Sequence, residues 1–335
     1  MSNPFKENGY MLPIASINNT YVDDDKVSDL FQLSLIKEAI LAHKDQLGLN
    51  ELETNKHLLE RFNECIQSEV PSIRKTSLSI AQQYGERLAK ILCNFFNPSQ
   101  RTLTNQSSWD KEHWEYWQNI ERVYLVGGIT SPILTKLFFN EIKRYFKSHS
   151  IDKEVIFIAG SQHLGTKGLS TLVKEGEYLL FDFGQTMIKR RHHIKEHGET
   201  KVDIILNPVH SKYLFYKDRD KEELLHVAKK LHNYIVKVIV DTANEVAFEG
   251  SNMHIAIANY LNDGKIYPNR GGYAKLAKIS SHYESHISQE LSQALGRKIN
   301  VILHHDTSAM ALNFKNEEQI AVLSVGTAFG VAFPD

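Results

Sequence analysis

The sequence predicts a layered α/β protein on three observations. Short apolar runs end in glycine-bearing turns, stretches with a three-to-four-residue apolar period alternate with them, and the composition is ordinary for a globular chain. Hydrophobic residues make up 42% of the 335 and charged residues 24%, with 8 Pro and 18 Gly, which excludes collagen-like, low-complexity and disordered chains. Such a length corresponds to two domains or one large one. Lys plus Arg (39) nearly cancels Asp plus Glu (40), so no overall field draws the chain to nucleic acid or to an anionic membrane. Cys65 and Cys93 form no C-x-x-C pair and no disulfide framework, which fits a reducing compartment and gives no zinc motif. Met1–Glu7 lacks the basic-then-apolar pattern of a leader, and no apolar run approaches the roughly 18 residues of a membrane span. The expectation is a soluble, cytoplasmic protein.

The first hundred residues read as helical over Val27–His43, Asn55–Ser68 and Ser77–Phe96; in the last, Ala81, Tyr84, Leu88, Leu92 and Phe95 form one stripe and Asn97-Pro98 supplies the stop. Arg122–Val126 is a buried strand ending in Gly127-Gly128, followed by a helix over about Pro132–Phe146. Val155–Ala159 is a second strand, leading through Gly160 and Gly165 into another helix. From Tyr178 the pattern changes to three strand-like runs, Tyr178–Phe183, Met187–Ile194 and Lys201–Leu206, whose short connections predict an antiparallel meander. Then come a helix over Lys221–Val246, a strand near Met253–Ala258, a helix over Tyr273–Leu295 closed by Gly296, and a strand at Asn300–His304. Three strands, helix, strand, helix, strand is a ribonuclease-H-like layout. Ala321–Val325 and Phe329–Phe333 form a hairpin, and a lone two-stranded hairpin is marginal in water, so it must join a sheet made elsewhere in the chain.

Three segments point to chemistry. Asp182-Phe-Gly184-Gln-Thr186 lies at the first turn of the meander, where an acid can position magnesium through water while backbone N–H groups and a hydroxyl receive phosphate oxygens. The same pattern also describes an ordinary polar turn. Gly326-Thr327-Ala-Phe-Gly330 repeats the logic: apolar strand, Gly/Thr turn, apolar strand. Asp306 follows the strand Asn300–His304, at the strand end where open α/β sheets bind ligands, and a carboxylate there can take a proton from a substrate hydroxyl. Its structural alternative is a helix N-cap before Ser308–Asn313.

These segments, with Leu125-Val-Gly127-Gly128, Ser324-Val-Gly326-Thr327 and His305-Asp306-Thr307-Ser-Ala-Met-Ala, resemble the actin-like ATPase superfamily, specifically its hexokinase and ROK-type sugar kinases. The resemblance implies two ribonuclease-H-like domains with an interdomain cleft, ATP and Mg2+ as cofactors, and a sugar or amino sugar as the acceptor. It assigns Asp182, Gly184 and Thr186 to magnesium and phosphate, Gly326 and Thr327 to phosphate, Gly127 and Gly128 to the nucleoside, and Asp306 to the base. The order departs from the family: Gly127-Gly128 precedes Asp182 instead of following both phosphate turns, so the pieces look circularly permuted. On that reading residues 1–175 plus 318–335 form the nucleotide-side domain, with helical insertions and a strand near Met11–Ile17 as a further sheet member. Residues 176–317 form the first-phosphate-loop domain. The Cys/His zinc motif and the E-x-G-H sugar motif of ROK-type proteins are absent, so a hexokinase-like or N-acetylglucosamine-kinase-like member is the closer analogue.

Other features are set aside. Gly160-Ser-Gln-His-Leu-Gly165-Thr-Lys167-Gly168 nearly spells a P-loop, but Lys167 falls one place late and Gly168 stands where Ser/Thr should bind magnesium. The run Lys189-Arg190-Arg191-His192-His193 reads as a solvated strand face, with Lys189 kept as a phosphate candidate. Trp109, His113, Trp114 and Trp117 read as core or subunit packing, which leaves a homodimer open. His304 and His305 read as site lining or packing rather than metal ligands. Two other classes compete: a nucleotide-binding regulator or assembly protein without sugar chemistry, and a ribonuclease-H-like nuclease, for which Asp182 and Asp203 alone make a poor two-metal cluster.

Overall fold

A computed structural model gives a mixed α/β protein with several sheets and describes residues 2–49, 58–127, 132–214, 221–268 and 271–334. The chain divides into two compact units. One comprises Met1–Phe5, Ile14–Gln162 and Glu317–Phe333; the other comprises Lys6–Pro13, His163–Asn316 and Pro334–Asp335. In the second unit, β1 (Lys6–Glu7) and β2 (Tyr10–Met11) pair as a small hairpin. The strand predicted near Met11–Ile17 is therefore corrected. The strand there is confined to Tyr10–Met11, and Pro13–Ala15 and Ile17–Asn19 are 3-10 turns. Proline fixes φ and has no N–H to give to a ladder, so Pro13 suits the start of a turn better than a strand interior.

The first unit opens with a hairpin of β3 (Tyr21–Val22) and β4 (Asp25–Lys26), then α1 (Val27–Leu30) and α2 (Leu33–Ala42). The single helix expected over Val27–His43 is thus broken at Phe31 and Gln32. Extended backbone there lets fully buried Phe31 reach Tyr84, Phe138 and Phe329. Next are α3 (Leu58–Ile66), with residues 55–57 of the predicted helix outside the described residues, and α4 (Pro71–Phe96), which starts six residues before the predicted start at Ser77 because Pro71 is tolerated in a first helical turn. Its stripe of Ala81, Tyr84, Leu88, Leu92 and Phe95 is buried as the period predicts. Then follow α5 (Gln100–Asn105), α6 (Lys111–Gln118), β5 (Arg122–Val126), α7 (Pro132–Ser148) and β6 (Glu154–Phe157). Trp109, His113, Trp114 and Trp117 are core, packed with Phe5, Phe95 and Phe333.

The second unit continues with α8 (Leu164–Ser170), the meander β7 (Gly176–Phe183), β8 (Met187–Glu196) and β9 (Glu199–His210), α9 (Lys221–Glu245) and β10 (Asn252–Ile257). A hairpin of β11 (Leu261–Asn262) and β12 (Lys265–Ile266) leads to α10 (Tyr283–Leu295), β13 (Asn300–His305) and α11 (Asp306–Ala311). The helix expected over Tyr273–Leu295 is two pieces, a 3-10 turn at Ala274–Lys278 and α10. The chain returns to the first unit with β14 (Ile320–Val325) and β15 (Phe329–Ala332).

The four-stranded sheet of the first unit has the order β15-β14-β5-β6, with the terminal hairpin attached through β14 parallel to β5. The five-stranded sheet of the second has the order β13-β10-β7-β8-β9, antiparallel across β7, β8 and β9 and parallel across β7, β10 and β13. One face carries Leu179, Phe181, Phe183, Met253, Ile255 and Leu303 into a single apolar cluster with α9 and α10 residues such as Leu231, Ile235 and Ile287. The opposite face packs Tyr178, Leu180 and Ala256 against Leu169 of α8 and Ala309 of α11. Here α8 lies so close to α11 that a Cβ on Gly168 would sit 1.7 Å from the Ala309 carbonyl oxygen.

Candidate functional site

The register of the five-stranded sheet sets Lys189, Asp182, Ala256 and His304 in one cross-strand row on the α8/α11 face. Asp182 is the penultimate residue of β7 and is 1% exposed. Its Oδ2 accepts from Lys189 Nζ at 3.1 Å, while its Oδ1 is buried with no hydrogen-bond partner among the described residues. Gly165 brings the start of α8 against the same carboxylate, where a Cβ would stand 2.8 Å from Oδ2. Gly165 and Gly168, excluded from a P-loop by their spacing, thus have a packing reason. Burial raises the Asp182 carboxyl above its ordinary value; the Lys189 ammonium opposes this and the charge of Asp306 adds to it.

Asp306 follows β13 directly as the first residue of α11. It is not the N-cap: His305 holds that place, its Nδ1 accepting from the Ser308 N–H at 3.4 Å. Burial of His305 pushes its imidazole down to about 4, so the ring is neutral at pH 7. With Nδ1 accepting, the ring proton sits on Nε2, which is 3.4 Å from Asp306 Oδ1. Asp306 Oδ1 also accepts the Thr307 N–H at 2.7 Å. Burial pushes the Asp306 carboxyl up to about 6, with the Thr307 N–H and Lys189 holding it back. Two acids at the ends of parallel strands thus have raised values, with small Ala256 between them in the sheet.

The turn between β7 and β8 is tight, with the Gly184 N–H donating to the Met187 carbonyl at 3.1 Å. The Gly184 carbonyl accepts from Ser211 Oγ at 2.7 Å and from the Tyr273 hydroxyl at 3.0 Å, so the turn is pinned from two other segments. A Cβ on Gly184 would stand 3.0 Å from the Met187 oxygen. Thr186 is exposed at the tip.

The remaining candidates lie in the first unit. Gly127 closes β5 at φ +110°, and a Cβ there would lie 2.6 Å from the Val325 carbonyl oxygen on the neighbouring strand β14. Glycine is required at that contact. Its N–H donates to Ser161 Oγ at 2.8 Å. In the turn between β14 and β15, Thr327 is exposed and a Cβ on Gly326 would meet nothing within 4 Å. Gly128 lies outside the described residues. A cavity of about 940 Å³ between α7 and the edge strand β6, lined by Phe139, Lys143 and Lys147, contains none of the candidates.

The basic run is corrected. Arg190, Arg191, His192 and His193 are all buried rather than solvated, and each has a partner. Arg190 reaches Glu245 on α9 at 2.6 Å, and His192 pairs with Glu177 at 2.7 Å. Arg191 Nη1 lies 2.7 Å from both Asp203 oxygens, and His193 lies 3.2 Å from Oδ1. Asp203 therefore serves an ion-pair network and not a metal cluster. Sequence reasoning missed His163, whose imidazole is pushed down by burial and by the charges of Arg191 and Lys189, and whose Nδ1 is buried without a hydrogen-bond partner among the described residues. No spacing links it to Asp182, because it arrives from the segment before α8. No family model matches the chain, and no curated protein matches it in sequence.

Proposed function

We propose that the protein is an ATP-dependent phosphotransferase acting on a hydroxyl of a sugar or amino sugar. The observation that carries this reading is the pair Asp182 and Asp306, at the ends of two parallel strands, with Lys189 on the first acid and a raised affinity for the proton on the second. Bound Mg2+–ATP would supply the phosphoryl group and neutralise charge building on it. The donor set fits such a cation: Asp182 Oδ1 is a buried carboxylate oxygen without a hydrogen-bond partner among the described residues, and hard cations take oxygen ligands. Asp182 would hold the metal through water, Lys189 would turn from Asp182 toward phosphate oxygens, and the Gly184–Thr186 turn would present its N–H and hydroxyl groups. The resemblance to sugar kinases would assign Gly326, Thr327, Gly127 and Gly128 to phosphate and nucleoside. Asp306, largely ionised at pH 7 with a value near 6, accepts the hydroxyl proton, while His305 and the Thr307 N–H orient the carboxylate.

The sheet orders support the fold part of the proposal. A meander extended on one side by two parallel strands fits a ribonuclease-H-like domain, and the late hairpin β14–β15 beside the early strands β5 and β6 fits a permuted second one. Among the described residues no helix is long and apolar enough to cross a membrane. Among the described residues Cys65 and Cys93 are buried thiols outside any disulfide, and a cytoplasmic site of action belongs to the same proposal.

The test is turnover with ATP, Mg2+ and a panel of hexoses and amino sugars. Asp306→Ala is expected to lower turnover about 10²–10⁴-fold, the usual contribution of general-base assistance. Unchanged turnover in that variant would remove Asp306 from the mechanism. ATP binding without any acceptor would transfer the reading to a nucleotide-binding regulator.

A further inference from the structure

Away from the two acids, on the other face of the same sheet, α9 and α10 bring together His232, His286 and Glu290. One ligand atom from each lies within 4.8 Å of the others. His286 and Glu290 stand four residues apart on α10, so both point from one side of that helix. His232 comes from α9, and its ring centroid is 5.1 Å from that of His286. Among the described residues the side chains of His286 and Glu290 make no hydrogen bond or ion pair.

We propose that these three residues form a binding site for a divalent transition-metal ion of the zinc class. Two imidazoles and one carboxylate are a borderline-soft donor set, suited to zinc and its neighbours rather than to magnesium or calcium, which take oxygen ligands. The surroundings match what a metal-binding histidine needs. His232 is 6% exposed, and its Nδ1 lies 3.0 Å from the hydroxyl of Tyr283, itself buried. With Nδ1–H donating to that hydroxyl, the ring is fixed and Nε2 is the nitrogen left to ligate an ion, the outer-partner arrangement usual for ligating histidines. His286 and Glu290 are half-buried, so the ion has an entry path and keeps water in its fourth position. With His232 held, the half-buried His286 and Glu290 side chains would rotate to close donor atoms now within 4.8 Å of one another onto the roughly 2.0–2.2 Å metal bonds of such a site. The ion would join α9 to α10, the two helices that cover the apolar face, and bind the folded chain alone, thereby raising its stability.

The experiment uses the full chain, stripped of metal with a chelator and titrated with Zn2+ against a chromophoric competitor, with thermal unfolding followed in parallel. Expected are one tight equivalent per chain and a higher unfolding temperature. Changing even an outer partner of a metal site weakens binding about 10–100-fold. Losing a direct ligand in His286→Asn or Glu290→Gln is therefore expected to cost at least about 100-fold and to abolish the thermal shift. Both positions are half-buried, so the variants are expected to fold, and far-ultraviolet circular dichroism checks this. Only weak, multiple binding by the parent chain, or an unchanged tight site in both folded variants, would overturn the proposal. Kinase assays do not enter this test, so its failure leaves the phosphotransferase reading untouched.

Discussion

The two faces of the five-stranded sheet are made by the same strands and differ in almost everything else. Toward α9 and α10 the side chains of β7, β10 and β13 are apolar and merge into one cluster. Toward α8 and α11 the apolar patch is small, and the row at the strand ends is Lys189, Asp182, Ala256 and His304. Alternation along a strand assigns each residue to a face, so one sequence can supply an apolar layer and a layer with buried acids at once. The difference teaches that the α9/α10 side supplies most of the apolar burial and admits a charge such as Arg190 only when it is paired, with Glu245, whereas the α8/α11 side holds two buried acids. Raised values on two acids mean that burial works against their charged forms, and the apolar face offsets that cost.

Three substitutions probe this division. The largest effect on stability is expected on the apolar face, where Phe181→Ala empties a fully buried position and should cost about 3–5 kcal/mol in urea unfolding. A loss under about 1 kcal/mol would mean that this face does not carry the unit. On the other face Asp306→Asn should stabilise. Burial raises the Asp306 carboxyl from the ordinary 3.8 to about 6, so the folded state binds the proton more tightly and the parent loses stability as pH rises between those values. The variant should exceed the parent by at most about 3 kcal/mol at pH 8 and match it below pH 4, measured by denaturant unfolding at both. A variant less stable than the parent at pH 8 would show that Asp306 is held for structure. The smallest effect is Tyr273→Phe, which removes the hydroxyl bonded to the Gly184 carbonyl and should cost about 0.5–1.5 kcal/mol, with Ser211 still holding that oxygen.

The strands were legible because their signal is local. Arg122–Val126 is predicted and found with the same bounds, and the three runs of the meander appear in order, each somewhat longer than predicted. Breaks inside helical patterns were not legible. At Phe31 the apolar period continues while the backbone does not, because the aromatic contacts that favour an extended Phe31 come from residues far along the chain. Asp182 and Asp306 could be singled out from neighbouring glycines and strand ends. Their environment could not: Lys189 is opposite Asp182 through register, and the position of His305 as N-cap depends on where α11 begins. The basic run misled because the partners that neutralise it, Glu177, Asp203 and Glu245, lie on other strands and a helix.

The pairing of β5 with β14 bears on how the polypeptide acquires its structure during synthesis. Arg122 at the start of β5 binds Glu317, just before β14, across 195 residues of chain, and the whole of His163–Asn316 is made in between. A ribosome therefore delivers β5 and β6 long before the strand that separates β5 from β15. In the interval the inner edge of β5 is without its neighbour, while the intervening unit can already close on itself. Nascent chains of this kind wait for a late segment, and for that period the open edge is a template for pairing with other chains that a chaperone would be needed to shield.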